Sequence, residues 1–237
     1  GALRQAALRA MDRSGPGLWV SILCRKRFID ERLSDPINEF DTVVVLGAGL
    51  DTRAYRIAQH SDLPVFEVDQ QINIDRKAAV VQRVLGSSPE SVHLVPVDFE
   101  RDELMSALEA HGYRASGRTF FIWEGVTQYL TPETVRATLR QLSGAEAGSR
   151  LIFTYVRQDF IDGTQRYGAD AAYLRFRQRS QLWKSGLVPE DVGELLADYG
   201  WRLVEQAGPS YFRDLYIRPT GRTLAASPIE WTVLAER

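Results

Sequence analysis

The sequence predicts a doubly wound α/β fold around a mostly parallel, seven-stranded sheet, and three observations predict it. The first is the run Val43-Val44-Val45-Leu46 closing on Gly47-Ala48-Gly49-Leu50-Asp51-Thr52-Arg53. A continuous apolar stretch bounded by glycine reads as a central strand covered on both faces, followed by a sharp turn into a helix. The second is the alternation of strand-like and helix-like segments from residue 42 to 155, which implies right-handed crossovers and parallel pairing. The third is Pro64-Val65-Phe66-Glu67-Val68-Asp69, a short β-type run ending in acid one helix beyond the glycine turn.

Taken in order, residues 2–12 carry Leu3, Ala6, Ala7, Ala10 and Met11 at helical spacing, and Ser14-Gly15-Pro16-Gly17 is a break. A helix is expected over 18–33 and a loop at Ser34-Asp35-Pro36. There follow strand 42–46, helix 51–59, strand 64–68, helix 70–85, strand 92–96, helix 100–110, strand 118–123, helix 132–142 and strand 149–155. Residues 157–186 interrupt the rhythm with a polar, Arg- and Tyr-rich segment read as a helical lid. A helix after Pro189, a strand at 201–207 and a last strand at 229–235 complete the pattern, the last two pairing as an antiparallel edge. The organisation is one domain: a helical cap (1–40), a ligand-binding core (41–156), a lid (157–188) and the rest of the sheet (189–237). The chain begins with Gly1 rather than Met, so a preceding segment is expected.

At 237 residues the chain is long enough for one α/β domain with an insertion, and 44% hydrophobic with 25% charged residues is ordinary for a globular protein. A net charge of −2 provides no field for general nucleic-acid binding. The single cysteine, Cys24, excludes an internal disulfide and is read as a buried thiol; no Cys/His cluster offers a metal site. No secretory signal and no apolar run of membrane length is visible, so a cytoplasmic location away from membranes is expected.

The glycine turn narrows the ligand. A dinucleotide fingerprint has a third glycine where this chain has Thr52. Asp51, at the start of the next helix, would repel a pyrophosphate seated there. S-adenosylmethionine has no phosphate and carries a cationic end, so it fits better. Asp69 lies about 20 residues past the turn, where an acid receives ribose hydroxyls. Capping the helix from Gln70 is the other role open to it, and Glu67 is the alternative acid. Glu124, after the apolar run Phe120-Phe121-Ile122-Trp123, sits at a strand's carboxyl end; its simpler reading is a helix cap or surface acid.

Four segments in this order carry a more specific resemblance: Arg25-Lys26-Arg27-Phe28-Ile29-Asp30, Leu46-Gly47-Ala48-Gly49-Leu50-Asp51-Thr52-Arg53, Phe66-Glu67-Val68-Asp69 and Trp123-Glu124-Gly125-Val126-Thr127-Gln128-Tyr129-Leu130-Thr131-Pro132-Glu133. Over roughly residues 18–155 the chain resembles the leucine carboxyl methyltransferase family, which includes protein phosphatase methyltransferases and bacterial O-methyltransferases of secondary metabolism. The resemblance implies a Rossmann-like methyltransferase fold and S-adenosyl-L-methionine as cofactor. It implies that Gly47, Ala48, Gly49 and Asp51 lie against the methionine part and that Asp69 takes the ribose hydroxyls. It further implies that Asp98 and the backbone at Phe99 bind the adenine edge, that Glu124 approaches the methionine amino group, and that an arginine of the early helix, placed at Arg25 with Arg27 close behind, holds the carboxylate. Arginine suits that task because its planar fork matches a carboxylate. For Arg25 a solvated helix face, and for Asp98 simple helix initiation, are the competing readings.

Methyl transfer from a sulfonium is an in-line displacement in which alignment does much of the work. A carboxylate nucleophile needs no base, whereas an alcohol benefits from one. His60, His93 and His111 are all expected away from the crevice mouth, which favours a carboxylate or acidic hydroxyl on a small, anionic or aromatic acceptor. Tyr129, Tyr155, Tyr173, Tyr211 and Arg213 are the candidate acceptor contacts, and Arg157, Arg166, Arg175, Arg177, Arg179 and Lys184 bias the lid positively. Two rival readings are a nicotinamide-dependent oxidoreductase on the same fold, disfavoured by Thr52 and by the lack of a Tyr-x-x-x-Lys set, and a non-catalytic protein that keeps the pocket. The sequence names neither the acceptor nor the oligomeric state.

Overall fold

The computed structural model describes residues 15–34 and 37–237. The helix expected at 2–12, and Ser14, Asp35 and Pro36 of the expected break and loop, lie outside the described residues. Strands β1 (Thr42–Leu46), β2 (Val65–Asp69), β3 (Val92–Pro96), β4 (Thr119–Trp123), β5 (Arg150–Val156), β6 (Arg202–Ala207) and β7 (Glu230–Glu236) form one sheet in the order β3-β2-β1-β4-β5-β7-β6. Strands β1 to β5 pair in parallel. Strand β7 runs antiparallel to both β5 and β6, so the antiparallel pairing falls at this edge, as the sequence leads one to expect.

The apolar runs are continuous because alternate residues bury on opposite faces. Val44, Leu46, Phe66, Val68, Phe121 and Trp123 enter one core with α4 (Leu104–Ala110), α5 (Pro132–Leu142) and α8 (Val192–Ala197). Val43, Val45, Val65, Phe120 and Ile122 enter the other with α1 (Leu18–Ser34), α2 (Arg53–Ile57) and α9 (Pro209–Phe212). A strand packed on both faces has no polar side to show. The remaining crossover helix, α3 (Gln71–Leu85), stops at Gly86, whose φ of 81° is the left-handed geometry of a helix end. At α5, the Thr131 hydroxyl accepts the Thr134 N–H at 3.2 Å and Pro132 occupies the first turn, so these two residues set the start of the helix expected at 132–142.

Helix α4 begins at Leu104 rather than near residue 100. The Asp98 N–H donates to the Asp102 carboxylate at 2.8 Å and Asp98 accepts the Glu100 N–H at 3.1 Å, which closes a turn before the helix starts. The segment 157–186, expected as a helical lid, is not one continuous helix. It consists of α6 (Gln158–Asp162) and α7 (Asp170–Tyr173), separated by Gly163 and Gly168 at φ 77° and 73°, then a wide helical turn at Leu174–Arg179 and an extended strap. Phe160, Ile161, Ala172, Tyr173 and Trp183 give it a small core of its own, seated on Val156 and Ile229. The strap crosses the carboxyl ends of the strands: the Lys184 N–H donates to the Gln128 carbonyl and its ammonium meets Glu100 at 2.7 Å. Among the described residues no helix is long and apolar enough to cross a membrane.

Candidate cofactor crevice and its charge network

The crevice is built outward from the end of β1. Gly47 has φ 68°, and a Cβ there would fall 2.3 Å from Val126 Cγ2, so only glycine lets this turn pass the loop after β4. The Ala48 N–H donates to the Val68 carbonyl at 2.9 Å, and the Gly49 N–H donates to Asp69 Oδ2 at 2.7 Å. Asp69 Oδ1 accepts the Gln70 N–H at 2.8 Å and the Asn73 amide at 2.7 Å. The carboxylate thus ties the glycine turn to the start of α3. Three of the four lone-pair sites are then taken, two on Oδ1 and one on Oδ2, so Oδ2 keeps room for a ribose hydroxyl while the carboxylate anchors the loops.

Glu124 follows β4 and its side chain is 7% exposed. Arg25 Nε of α1 donates to its Oε1 at 2.8 Å, and Lys26 Nζ lies 3.4 Å from the same oxygen. Arg53 Nη1 donates to Oε2 at 2.7 Å. Burial works to raise this carboxyl, but the three cations prevail and bring it down to about 2. Arg25 also pairs with Glu230 at the start of β7, and Arg53 pairs with Asp51 and, through Nε at 2.6 Å, with Asp30. The loop that carries Glu124 is itself fixed, since Thr154 Oγ1 accepts the Gly125 N–H at 2.8 Å. Arg25, Lys26, Gly47, Ala48, Leu50, Asp51 and Glu124 together line a cavity of about 250 Å³. Glycine backbone, a guanidinium whose Nη2 is not engaged by Glu124 or Glu230, and a buried acid therefore converge at the carboxyl ends of β1 and β4, where this fold binds its ligands. A larger cleft of about 440 Å³ lies between α1 and α2, away from the glycine turn, with Asp30, Arg53, Arg56 and His60 on its walls.

Asp98 is half-buried and engaged in the local turn already described, while Phe99 stacks on Trp123 with ring centroids 6.4 Å apart, which brings the loop after β3 against the end of β4. The candidate acceptor contacts fare differently. Tyr129 is exposed in the loop beyond Glu124. Tyr155 is instead buried in the core, its hydroxyl accepting from Gln206 Nε2 at 2.6 Å, and burial pushes its phenol up. Tyr173 belongs to the lid's own core against Phe160. Tyr211 accepts from Arg32 and donates to Glu205, and Arg213 is an exposed residue paired with Asp214 at 2.9 Å. None of these five lines the cavity beside Gly47. Tyr155 and Tyr173 are held by packing in the core and in the 157–186 segment, Tyr211 by Arg32 and Glu205, and Arg213 by Asp214. The lid's positive bias is also largely spent internally. Arg157 pairs with Asp159, Arg166 with Asp170 and Lys184 with Glu100, while Arg177 donates to two backbone carbonyls.

His93 stacks on Phe66, His111 bonds the Ala107 carbonyl and His60 borders the larger cleft, so all three stand away from the glycine turn. Cys24 is buried. The described residues hold no group of three or more His, Cys, Asp or Glu suited to a metal ion. Sequence reasoning missed Arg53, Glu230 and Lys26. Arg53 had a signal: a cation in the first turn of a helix opposes the helix dipole unless acids surround it. Glu230 had none, since only the β5–β7 register brings it to this end of the sheet.

A family model described as leucine carboxyl methyltransferase matches residues 2–143. A protein of Mycolicibacterium smegmatis named "putative S-adenosyl-L-methionine-dependent methyltransferase" is 33% identical over 215 residues, covering 87% of this chain and 69% of that one. A Streptomyces avermitilis protein of the same description is 33% identical over 183 residues, 76% of this chain and 62% of its own. The chain thus spans about two thirds of the length of these curated relatives. The solved structure of a "putative methyltransferase" from Thermobifida fusca covers 98% of this chain and 87% of its own at a TM-score of 0.68 and 19% identity, a likeness of fold.

Proposed function

The chain belongs to the leucine carboxyl methyltransferase family, and from that premise we propose that it is an S-adenosyl-L-methionine-dependent O-methyltransferase acting on a carboxylate or acidic hydroxyl of a small molecule. The observation that carries the reading is the Arg25–Glu124 pair beside the Gly47–Gly49 turn. A zwitterionic methionine tail requires a cation and an anion held close together at a strand end, and the pair supplies both. Glycine at Gly47 keeps the backbone open for close approach.

In this reading Arg25 meets the methionine carboxylate through Nη2, the guanidinium nitrogen that Glu124 and Glu230 do not engage. Glu124, crowded by three cations, chiefly aims Arg25 while adding negative charge for the amino group, and Asp51 supplies the second negative wall. Asp69 accepts the ribose hydroxyls, and Asp98 with the Phe99 backbone meets the adenine edge. S-adenosylmethionine brings a methyl group on a sulfonium whose thioether departs readily. The protein's task is then alignment of the acceptor oxygen and exclusion of water, and the strap anchored by Lys184 covers the strand ends for that purpose. The distance of the histidines from the turn supports an acceptor that is ionised without a base. A cytoplasmic location is part of the same reading.

The experiment is methyl transfer from radiolabelled S-adenosylmethionine to a panel of small carboxylic acids, phenols, aliphatic alcohols and a peptide with a free C-terminus. Label on a small acid or phenol supports the proposal. Label on the peptide alone moves the acceptor to a protein, and the absence of transfer with retained cofactor binding favours a non-catalytic role.

A further inference from the structure

We propose that Arg53 is the positioning residue of this crevice: clamped by Asp30, it holds Asp51 and Glu124 in the arrangement that a methionine-tailed nucleoside meets. The inference rests on the reading that the crevice takes S-adenosylmethionine.

Arg53 is 2% exposed and is absent from the lining of the 250 Å³ cavity. It reaches a ligand only through its neighbours. Those neighbours come from three separate segments. Nε donates to Asp30 of α1 at 2.6 Å, while Nη1 meets both Asp51 of the glycine turn and Glu124 after β4, the latter at 2.7 Å. The Arg53 backbone N–H also donates to Asp51 Oδ1 at 2.7 Å. One nitrogen thus bridges two carboxylates that both face the cavity.

Two acids drawn to a common point repel unless a cation stands between them, and the cheaper outcome without one is that one of them takes up a proton. The other charged groups do not replace Arg53. Arg25 and Lys26 of α1 touch only the Oε1 side of Glu124, and Glu230 of β7 competes for Arg25. Arg56 of α2 reaches the far oxygen of Asp30 at 3.2 Å rather than either cavity acid. Asp51 has no other cation among its described contacts. Arginine is required rather than any cation, because the planar fork serves Asp30 on one edge and the two acids on another.

The test is calorimetric titration of the full chain with S-adenosylmethionine and with S-adenosylhomocysteine between pH 5 and 8, for wild type, Arg53→Met, Arg53→Lys and Asp30→Asn, with thermal unfolding in parallel. Wild-type affinity is expected to stay flat across this range. Arg53→Met should weaken both ligands alike by at least tenfold at pH 8, because they share the tail, and by a growing factor as pH falls to 5, because two acids held together without the bridging cation favour a shared proton. Arg53→Lys should restore the flat profile at reduced affinity. Asp30→Asn, which touches Arg53 but stays outside the cavity, should weaken binding about threefold, and it decides the matter if Arg53→Met does not fold. Binding in Arg53→Met that is unchanged, or reduced by one constant factor at every pH, overturns the proposal, as does wild-type affinity in a folded Asp30→Asn where Arg53→Met is lost. Failure of the wild type to bind either ligand is a different result, seen in the first titration, and removes the functional reading on which this inference stands.

Discussion

Arg25 and Glu124 are 99 positions apart in the chain, yet Nε of the first donates to Oε1 of the second at 2.8 Å and so joins the N-terminal helix to the end of the fourth strand. The bond holds one oxygen of Glu124, and Arg53, behind the cavity wall, holds the other. Removing Glu124 therefore acts on stability and on ligand binding together. Taking away one partner of a buried ion pair costs about 3–5 kcal/mol, and Glu124→Ala should lose an amount of that order in urea unfolding, with Glu124→Gln losing less. Glu124 is held at about 2, well below its ordinary value. A depressed carboxyl stabilises the fold above its unfolded pKa and loses that contribution as pH falls from about 4.5 towards 2. Urea titrations at pH 5 and 3 should show a drop in wild type on the order of 2 kcal/mol from this group, and a smaller one in Glu124→Gln.

Glu67 is fully buried between Lys77 of α3 and Tyr55 of α2. Burial drives its carboxyl up, Lys77 pulls it back, and it settles at about 7. Here the sign reverses. The folded state holds a proton that the unfolded state has released, so stability should decline as pH rises from about 4.5 to 7. The decline attributable to Glu67 is on the order of 2–3 kcal/mol, and Glu67→Gln should flatten it. Equal slopes in the two proteins would show that the Lys77 pair keeps Glu67 ionised throughout.

The two glycines of the turn make a matched pair. Gly47 combines φ 68° with a Cβ position 2.3 Å from Val126, while Gly49 has φ 47° and nothing within 4 Å. Gly49→Ala pays only the left-handed penalty of about 1–2 kcal/mol. Gly47→Ala adds a steric clash, and should show a distinctly lower Tm together with loss of cofactor binding. Similar Tm values in the two variants would mean that the Val126 loop moves aside freely.

Tyr155→Phe removes the acceptor for Gln206 Nε2 inside the core. A net hydrogen bond of this kind is worth about 1 kcal/mol, so the variant should unfold at lower urea concentration while its affinity for S-adenosylmethionine stays within twofold of wild type. A turnover change without a stability change would return Tyr155 to the acceptor site.

Much of this molecule is legible in the residues alone, for identifiable reasons. Val43 to Leu46 declare a central strand because burial on both faces leaves no polar alternation, and Thr131-Pro132-Glu133 mark a helix start because the capping groups are local. Asp69 and Glu124 were legible as strand-end acids for the same reason: strand polarity in a parallel sheet sends every such residue to the crevice. Arg53 and Glu230 were not, because their roles depend on partners from distant segments that only the closed fold assembles. The aromatic residues are legible only in part. Tyr155, Tyr173 and Tyr211 carry hydroxyls suited to a substrate, but core and lid packing claimed their rings, and the chain does not reveal locally which claim prevails. The cations of the 157–186 segment are of the same kind: Arg157, Arg166 and Lys184 are paired with Asp159, Asp170 and Glu100, partners that only the folded chain brings to them.

The most direct measurement is a calorimetric titration of the protein with S-adenosylmethionine, S-adenosylhomocysteine and NAD under one set of conditions. Both adenosyl compounds should bind one-to-one, with that binding lost in Gly47→Ala, and NAD should give no measurable heat. Saturable binding of NAD with no response to either adenosyl compound would contradict the assignment of this crevice to S-adenosylmethionine.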